Sequence, residues 1–339
     1  MFLETTLAAV TVLNAAQASA PSPSLSAEAA KIKASGGPAW LSWSAPSAIE
    51  GVACCWDGRV KNGEPERGSR RSCSLSGTSF GMNLSTDDGR PSDDELVIYA
   101  RITPDGVDRV RAVSASCRVD RGSEKVVDLT GVKPAETAAW LRDAALTQPP
   151  VGNSQGRGGA LMALAMTDES SVDATLERIA RESSLRKTRE EAAFWLGNTR
   201  GRKGYEALVR LRDVADESLR NHLTFAFSQS REPEAVKSLI DMAKTDPAPR
   251  VRGQALFWLA QKARGQAEMA ALREATTDPD TEIKKKAVFA LSQVPDGEGV
   301  PDLIRVAREN RNPEVRKQAM FWLGQSKDPR ALAFFEANF

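Results

Sequence analysis

The sequence predicts a mainly α-helical solenoid of six repeats preceded by a small β-rich (α+β) domain, and three observations carry that prediction. The phrase VRKQAMFWLGQS at Val315 to Ser326 stands almost unchanged at Val251 to Gln261 as VRGQALFWLAQ. Aligning its copies superimposes Met162, Phe194, Phe225, Phe257, Phe289 and Phe321 at intervals of 32, 31, 32, 32 and 32 residues, a period that belongs to stacked helical units. All four cysteines, Cys54, Cys55, Cys73 and Cys117, precede the array in a turn-rich stretch with short apolar segments.

Taken in chain order, residues 1–25 form a short apolar run ending in small residues, the pattern of a secretory leader, although the run lacks a basic start and carries Glu4. Ala16-Gln17-Ala18 is the favoured cleavage site, so a periplasmic or secreted location is expected, with no bilayer-spanning segment. Residues 26–131 form the β-rich unit. Glu95 to Ile102 reads as a strand, Thr103 to Gly106 as a tight turn, Val107 to Cys117 as the returning strand, and KVVDL as the third strand of a meander. The segment from Trp56 to Glu95 has too few large apolar side chains to order itself, so the cysteines are expected to staple it. Neighbours in an extended chain point to opposite faces, which disfavours a bond between Cys54 and Cys55. One of them is expected to pair with Cys73 and the other with Cys117. A zinc site is disfavoured because no Cys-x-x-Cys spacing occurs.

Residues 132–150 supply a linking helix, with Pro134 at its start and Ala138, Leu141 and Ala145 on one face, and the Gln148-Pro149-Pro150 break. The array then occupies residues 151–339. In its first helix Val315, Ala319, Trp322 and Leu323 share a face, and a small residue follows the leucine (Gly197, Ser228, Ala260, Ser292, Gly324) where a neighbouring helix would approach. The second helix is clearest at Ala235, Val236, Leu239, Ile240 and Ala243. The Phe-Trp pair is read as core, the adjacent position alternating Ala163, Trp195, Ala226, Trp258, Ala290 and Trp322 so that large and small residues interdigitate.

These units, V-R-x-x-A-x-x-x-L followed by a small residue, resemble HEAT repeats, in particular the short kind of phycobilisome-lyase-like and other bacterial HEAT-like proteins, from Gly156 to Phe339. With the cysteine-bearing domain in front, the whole chain looks like exported bacterial HEAT-repeat proteins. The resemblance implies an α-α superhelix with a protein-interaction role, and less directly a lyase or chaperone-like activity. HEAT-like iron hydroxylases need several His-Glu pairs, and the chain has one histidine, His222, at a position held elsewhere by Gln254, Lys286 and Gln318.

Lys plus Arg number 46 against 45 Asp plus Glu, so no bulk field draws the chain to nucleic acid or an anionic membrane. No G-x-S-x-G is present, and GRGG at Gly156 to Gly159 lacks the Lys-Ser/Thr of a phosphate loop. The reading is of a non-catalytic protein-interaction scaffold of the cell envelope, without metal or cofactor. Three rows repeat with the array. Asn198, Gln229, Gln261, Gln293 and Gln325 end the first helices, where an amide could cap free carbonyls. Arg189, Arg220, Arg252, Lys284 and Arg316 are expected to tie adjacent units to acidic loops. Arg178, Arg210, Asp241, Arg273 and Arg305 lie on the second helices, expected to line a concave groove, where arginines would hold an acidic segment of a partner.

Overall fold

The computed structural model describes residues 24–338 apart from 50, 57–59, 62–63, 66–71, 76–80, 86–92, 148–158, 214–215 and 263–264. All of the predicted leader but Ser24 and Leu25 thus lies outside the described residues.

Among the described residues, helix α1 (Leu25–Ala34) is followed by ten strands: β1 (Ala39–Pro46), β2 (Val52–Trp56), β3 (Val60–Lys61), β4 (Glu64–Pro65), β5 (Ser72–Ser74), β6 (Gly81–Ser85), β7 (Glu95–Thr103), β8 (Gly106–Ser114), β9 (Arg118–Asp120) and β10 (Val126–Leu129). The main sheet runs β10-β1-β7-β8. The predicted hairpin is β7–β8, closed where Thr103 faces Gly106, whose φ of +127° suits a residue without a Cβ. The meander does not continue. β10 runs parallel to β1, with Trp40 opposite Val126, and β1 sits between β10 and β7. This central strand buries Ala39 to Trp43 on both faces, so it reads as an apolar run without alternation, and its partners are distant in sequence. Cys54 of β2 is bonded to Cys117 beyond β8, with Cα atoms 5.5 Å apart, in keeping with the predicted pairing. The side chains of Cys55 and Cys73 lie outside the described residues.

Helix α2 (Pro134–Thr147) is packed rather than free. Trp43 lies edge-on to Trp140 with centroids 5.4 Å apart, and its indole N–H donates to Thr137 Oγ1 at 3.1 Å. The twelve helices that follow pair as six units: α3 (Ala160–Met166) with α4 (Val172–Glu182), α5 (Arg186–Thr199) with α6 (Gly201–Arg212), α7 (Glu217–Gln229) with α8 (Glu234–Thr245), α9 (Pro249–Lys262) with α10 (Gln266–Ala275), α11 (Thr281–Ser292) with α12 (Val300–Glu309), and α13 (Pro313–Gln325) with α14 (Pro329–Glu336). Asp216, Asp280, Asn312 and Asp328 cap four of them, each side chain accepting a backbone N–H of the first turn.

One apolar core runs from the sheet into the array. The seam is held by backbone bonds: Ala48 N–H donates to Met166 O and Asp168 N–H to Pro46 O, both at 2.8 Å. The sheet therefore covers the open end of the stack.

Successive first helices pack closely throughout. A Cβ at Gly197 would collide with the Ala226 carbonyl of the next first helix. Second helices α6 and α8 stand farther apart and meet through long side chains, with Tyr205 Oη 3.1 Å from Ser238 Oγ and Arg202 bonded to Glu234. Gly197→Ala should cost about 1–3 kcal/mol through overpacking, read as a lower urea midpoint. Gly324→Ala, where nothing stands within 4 Å, should leave the midpoint equal or higher.

Candidate functional site

The arginine row projects from the second helices as the spacing predicts, but most of it is already engaged. Arg210, 55% exposed, holds the carboxylate of Glu177 on the preceding second helix through Nε and Nη2, the latter at 2.7 Å. Arg273 Nε donates to both oxygens of Asp302 at 2.8 and 2.9 Å, and Arg305 reaches the same carboxylate at 2.9 Å. Asp241 lies 4.0 Å from Arg212. Arg178 is exposed and forms no ion pair among the described residues. Acidic and basic groups thus alternate along this face, which makes it a compensated ladder rather than an open anion groove.

The second predicted row does tie unit to unit. Arg189 meets Asp216 at 2.5 Å, Arg220 Nε meets Asp246 at 3.0 Å, and Arg252 lies 3.6 Å from Asp280, each acid standing just before or at the start of the next first helix. Arg316 Nη1 donates instead to the Asn310 carbonyl at 2.7 Å. The Arg220–Asp246 pair is almost wholly buried.

The first-helix face departs most from expectation. Phe194, Phe225, Phe257 and Phe289 are only half-buried and Phe321 is 56% exposed, so the phenylalanines are not core. They form a ribbon with the tryptophans. Phe194 stacks on Phe225 with centroids 5.5 Å apart, Phe225 meets Trp258 at 4.9 Å, Trp258 meets Phe257 at 4.9 Å, Phe257 stacks on Phe289 at 6.1 Å, and Phe289 meets Trp322 at 5.1 Å. The physical reason is geometric. Close approach of the first helices leaves room in the seam only for Ala192, Ala226, Ala255, Ala287 and their like, each fully buried, and pushes the rings out over it. The alternation at the next position holds: Trp258 and Trp322 lean back onto the preceding phenylalanine, while Ala226 and Ala290 are fully buried.

The amide row flanks this ribbon, and its members do not cap the helix ends. Backbone N–H groups do that, as Ser230 does to Phe227 O and Ser326 to Leu323 O. Gln229 and Gln293 each donate to the preceding serine hydroxyl at 3.1 Å, and that hydroxyl donates to the carbonyl of Phe225 or Phe289. Gln261 and Gln325 are exposed, and Asn198 borders a polar cleft of about 440 Å³ between the sheet and the array.

On the other flank, His222 is half-buried and lies edge-on to Phe225 at 5.7 Å, not at an open surface. Burial pushes its pKa down, with the Glu190 carboxylate drawing it partly back. Burial also raises the pKa of Glu191, whose only bond among the described residues is a long one from Trp195 Nε1–H at 3.5 Å. Four polar atoms along this strip, Asn221 Oδ1, His222 Nε2, Trp258 Nε1 and Trp322 Nε1, are buried without a partner. The sequence did carry a signal: each phenylalanine has polar residues at i−3 and i+4, as in Gln318 and Gln325 around Phe321, which places it on the wet side of its helix.

The family model for HEAT repeats matches residues 172–260 and 269–339. The array is of the HEAT type. No curated protein matches the chain. Among solved structures, the complex of CpcE and CpcF of phycocyanin lyase from Nostoc sp. PCC7120 is 21% identical, with 47% of this chain and 100% of that one covered and a TM-score of 0.35. Human deoxyhypusine hydroxylase is 17% identical over 60% of this chain and 90% of its own, with a TM-score of 0.29. A computationally designed armadillo repeat protein for modular peptide recognition is 18% identical over 56% and 91%, with a TM-score of 0.29. HEAT and armadillo arrays generally mediate protein interactions.

The two ionic rows should respond differently to substitution. Asp246→Ala takes the carboxylate away from a buried guanidinium and should cost about 3–5 kcal/mol, whereas Glu177→Ala on the second-helix ladder should cost no more than about 1 kcal/mol, both measured by urea denaturation. Glu191 favours its neutral form in the fold, so its charge is destabilising above the raised pKa, and the penalty fades as pH falls below the ordinary carboxylate range. Glu191→Gln should therefore raise the thermal midpoint at pH 7, with the gain vanishing toward pH 4.

Proposed function

We propose that the chain is a non-catalytic scaffold that holds a protein partner on the first-helix face of its HEAT array, with the β-rich domain closing one end. The observation that carries this reading is the half-exposed ribbon from Phe194 to Phe321, bordered on both sides by polar rows. A contiguous apolar strip rimmed by polar groups marks an interaction surface, and aromatic side chains dominate binding energy where they become buried. The Cys54–Cys117 bond supports an oxidising compartment, and with it the expected envelope location.

A second reading places an acidic segment along Arg178, Arg210, Arg273 and Arg305. It is favoured by guanidinium groups that stay about half exposed, and opposed by Glu177 and Asp302, which such a segment would have to displace. Lyase or chaperone-like action is a third, resting on fold likeness alone.

A photo-crosslinking residue placed at Gln261 in the native cell should give a discrete protein adduct, and Phe225→Ser with Phe257→Ser should reduce its yield about tenfold or more while melting stays cooperative. An adduct formed from Arg273 and not from Gln261 would transfer the function to the arginine row.

A further inference from the structure

The first-helix face is graded along its length. Beside the ribbon stand Glu190 and Glu191 in the second unit, Asn221 and His222 in the third, Gly253 and Gln254 in the fourth, Lys285 and Lys286 in the fifth, and Lys317 and Gln318 in the sixth. Glu190 is held by Arg186, and Lys285 by Glu282 and Glu314. That leaves Glu191 without a cation at one end, and exposed Lys286 and Lys317 without an anion at the other, among the described residues. The opposite flank is uncharged: Gln229 and Gln293 keep a carbonyl oxygen and one N–H free, and Gln261 and Gln325 are exposed.

Resting on the reading that a partner docks on this face, we propose that its occupant is an extended, proline-rich peptide in the polyproline II form, lying across the first helices with a basic end at the second unit and an acidic end at the fifth and sixth. Spacing supplies the first argument. Packed helices repeat every ~8–10 Å, and a polyproline helix rising about 3.1 Å per residue with three residues per turn presents the same face every ~9.3 Å. One residue in three then meets each first helix, while the rings of neighbouring units close in pairs, Phe194 on Phe225 at 5.5 Å and Phe257 on Phe289 at 6.1 Å. A β-strand cannot keep this register, because its side chains alternate faces and every third one changes side.

Hydrogen bonding supplies the second. A carboxamide offers a donor and an acceptor, the complement of a peptide group. The polyproline backbone leaves its carbonyls unpaired, whereas a helical ligand satisfies its own and leaves the amide row idle. Pyrrolidine rings pack flat on aromatic surfaces with little ordering entropy to lose, which suits the half-buried Phe and Trp rings and exposed Phe321. Charge supplies the third, since Glu191 at one end and Lys286 with Lys317 at the other select one direction of a peptide with opposite ends.

The test is isothermal titration calorimetry of the full chain with synthetic peptides of repeated Pro-Pro-Ala triplets, flanked by a Lys pair at one terminus and a Glu pair at the other, in both orders, beside an uncharged version and a proline-free, Ala-based helical peptide with the same ends. One charged order should bind, and the reversed order should bind about tenfold more weakly, a difference of ~1.4 kcal/mol. Phe225→Ser or Phe257→Ser should weaken the favoured peptide about tenfold or more, and Gln261→Ala should weaken it a few-fold. Equal or tighter binding of the helical peptide would overturn the polyproline form. So would a lack of binding by any peptide while the adduct at Gln261 still depends on Phe225, and the docking face would then stand with a different occupant. Loss of both peptide binding and that dependence would overturn the docking reading as well.

Discussion

The structure depends on the close approach of successive first helices. Gly197 faces the Ala226 carbonyl with no room for a methyl group, and Ala192, Ala255, Ala287 and Ala319 are fully buried along the same seam. Interiors are packed too densely for larger residues to enter without parting the layers. The apolar surface that a repeat still needs must then lie over the seam rather than in it. Phe194, Phe225, Phe257 and Phe289 meet that need, each in ring contact with a neighbouring first helix while keeping one side wet. Their exposure follows from the tightness beneath them.

The same constraint sorts the charges. Where first helices nearly touch, the loops between units are drawn inward, and Asp246 becomes buried with Arg220 as its counter-ion. Where second helices stand apart, as between α10 and α12, the ion pair Arg273–Asp302 bridges them through an arginine that stays half exposed. Both rows recur at the same period, and both contain arginine. Period and residue type therefore reveal that a row exists, but its depth depends on which layer is tight, and depth decides whether a pair is structural or incidental.

Legibility in the sequence followed interaction range. The six units were plain because each repeats its local pattern, and the β7–β8 hairpin because a TPDG turn joins two apolar runs. Strand β1 was not, because AWLSW is buried on both faces and its partners lie far along the chain, with Trp40 opposite Val126 on one side and Arg101 on the other. The mixed sheet is what makes the N-terminal unit a lid for the array: its Pro46 and Ala48 bond the backbone of the first repeat, and Trp43 fixes α2 against the sheet. A stack without such a lid would leave the apolar side of α3 open to water.

The residues of the Phe-Trp pair are both apolar and adjacent, yet their environments are set by different partners. On a helix, neighbours are 100° apart, so Trp322 belongs with Ala319 and Leu323 at the seam, while Phe321 belongs with Gln318 and Gln325. An aromatic residue whose helical neighbours are all polar does not face a core. A single such ring is ordinary, but a row of them in mutual contact, at the spacing of the stack and between an acidic and a basic end, concentrates apolar surface where water gains least from it. Burial of that strip by a ligand would release ordered water without moving the backbone, because the helices that carry it are already locked by the seam beneath.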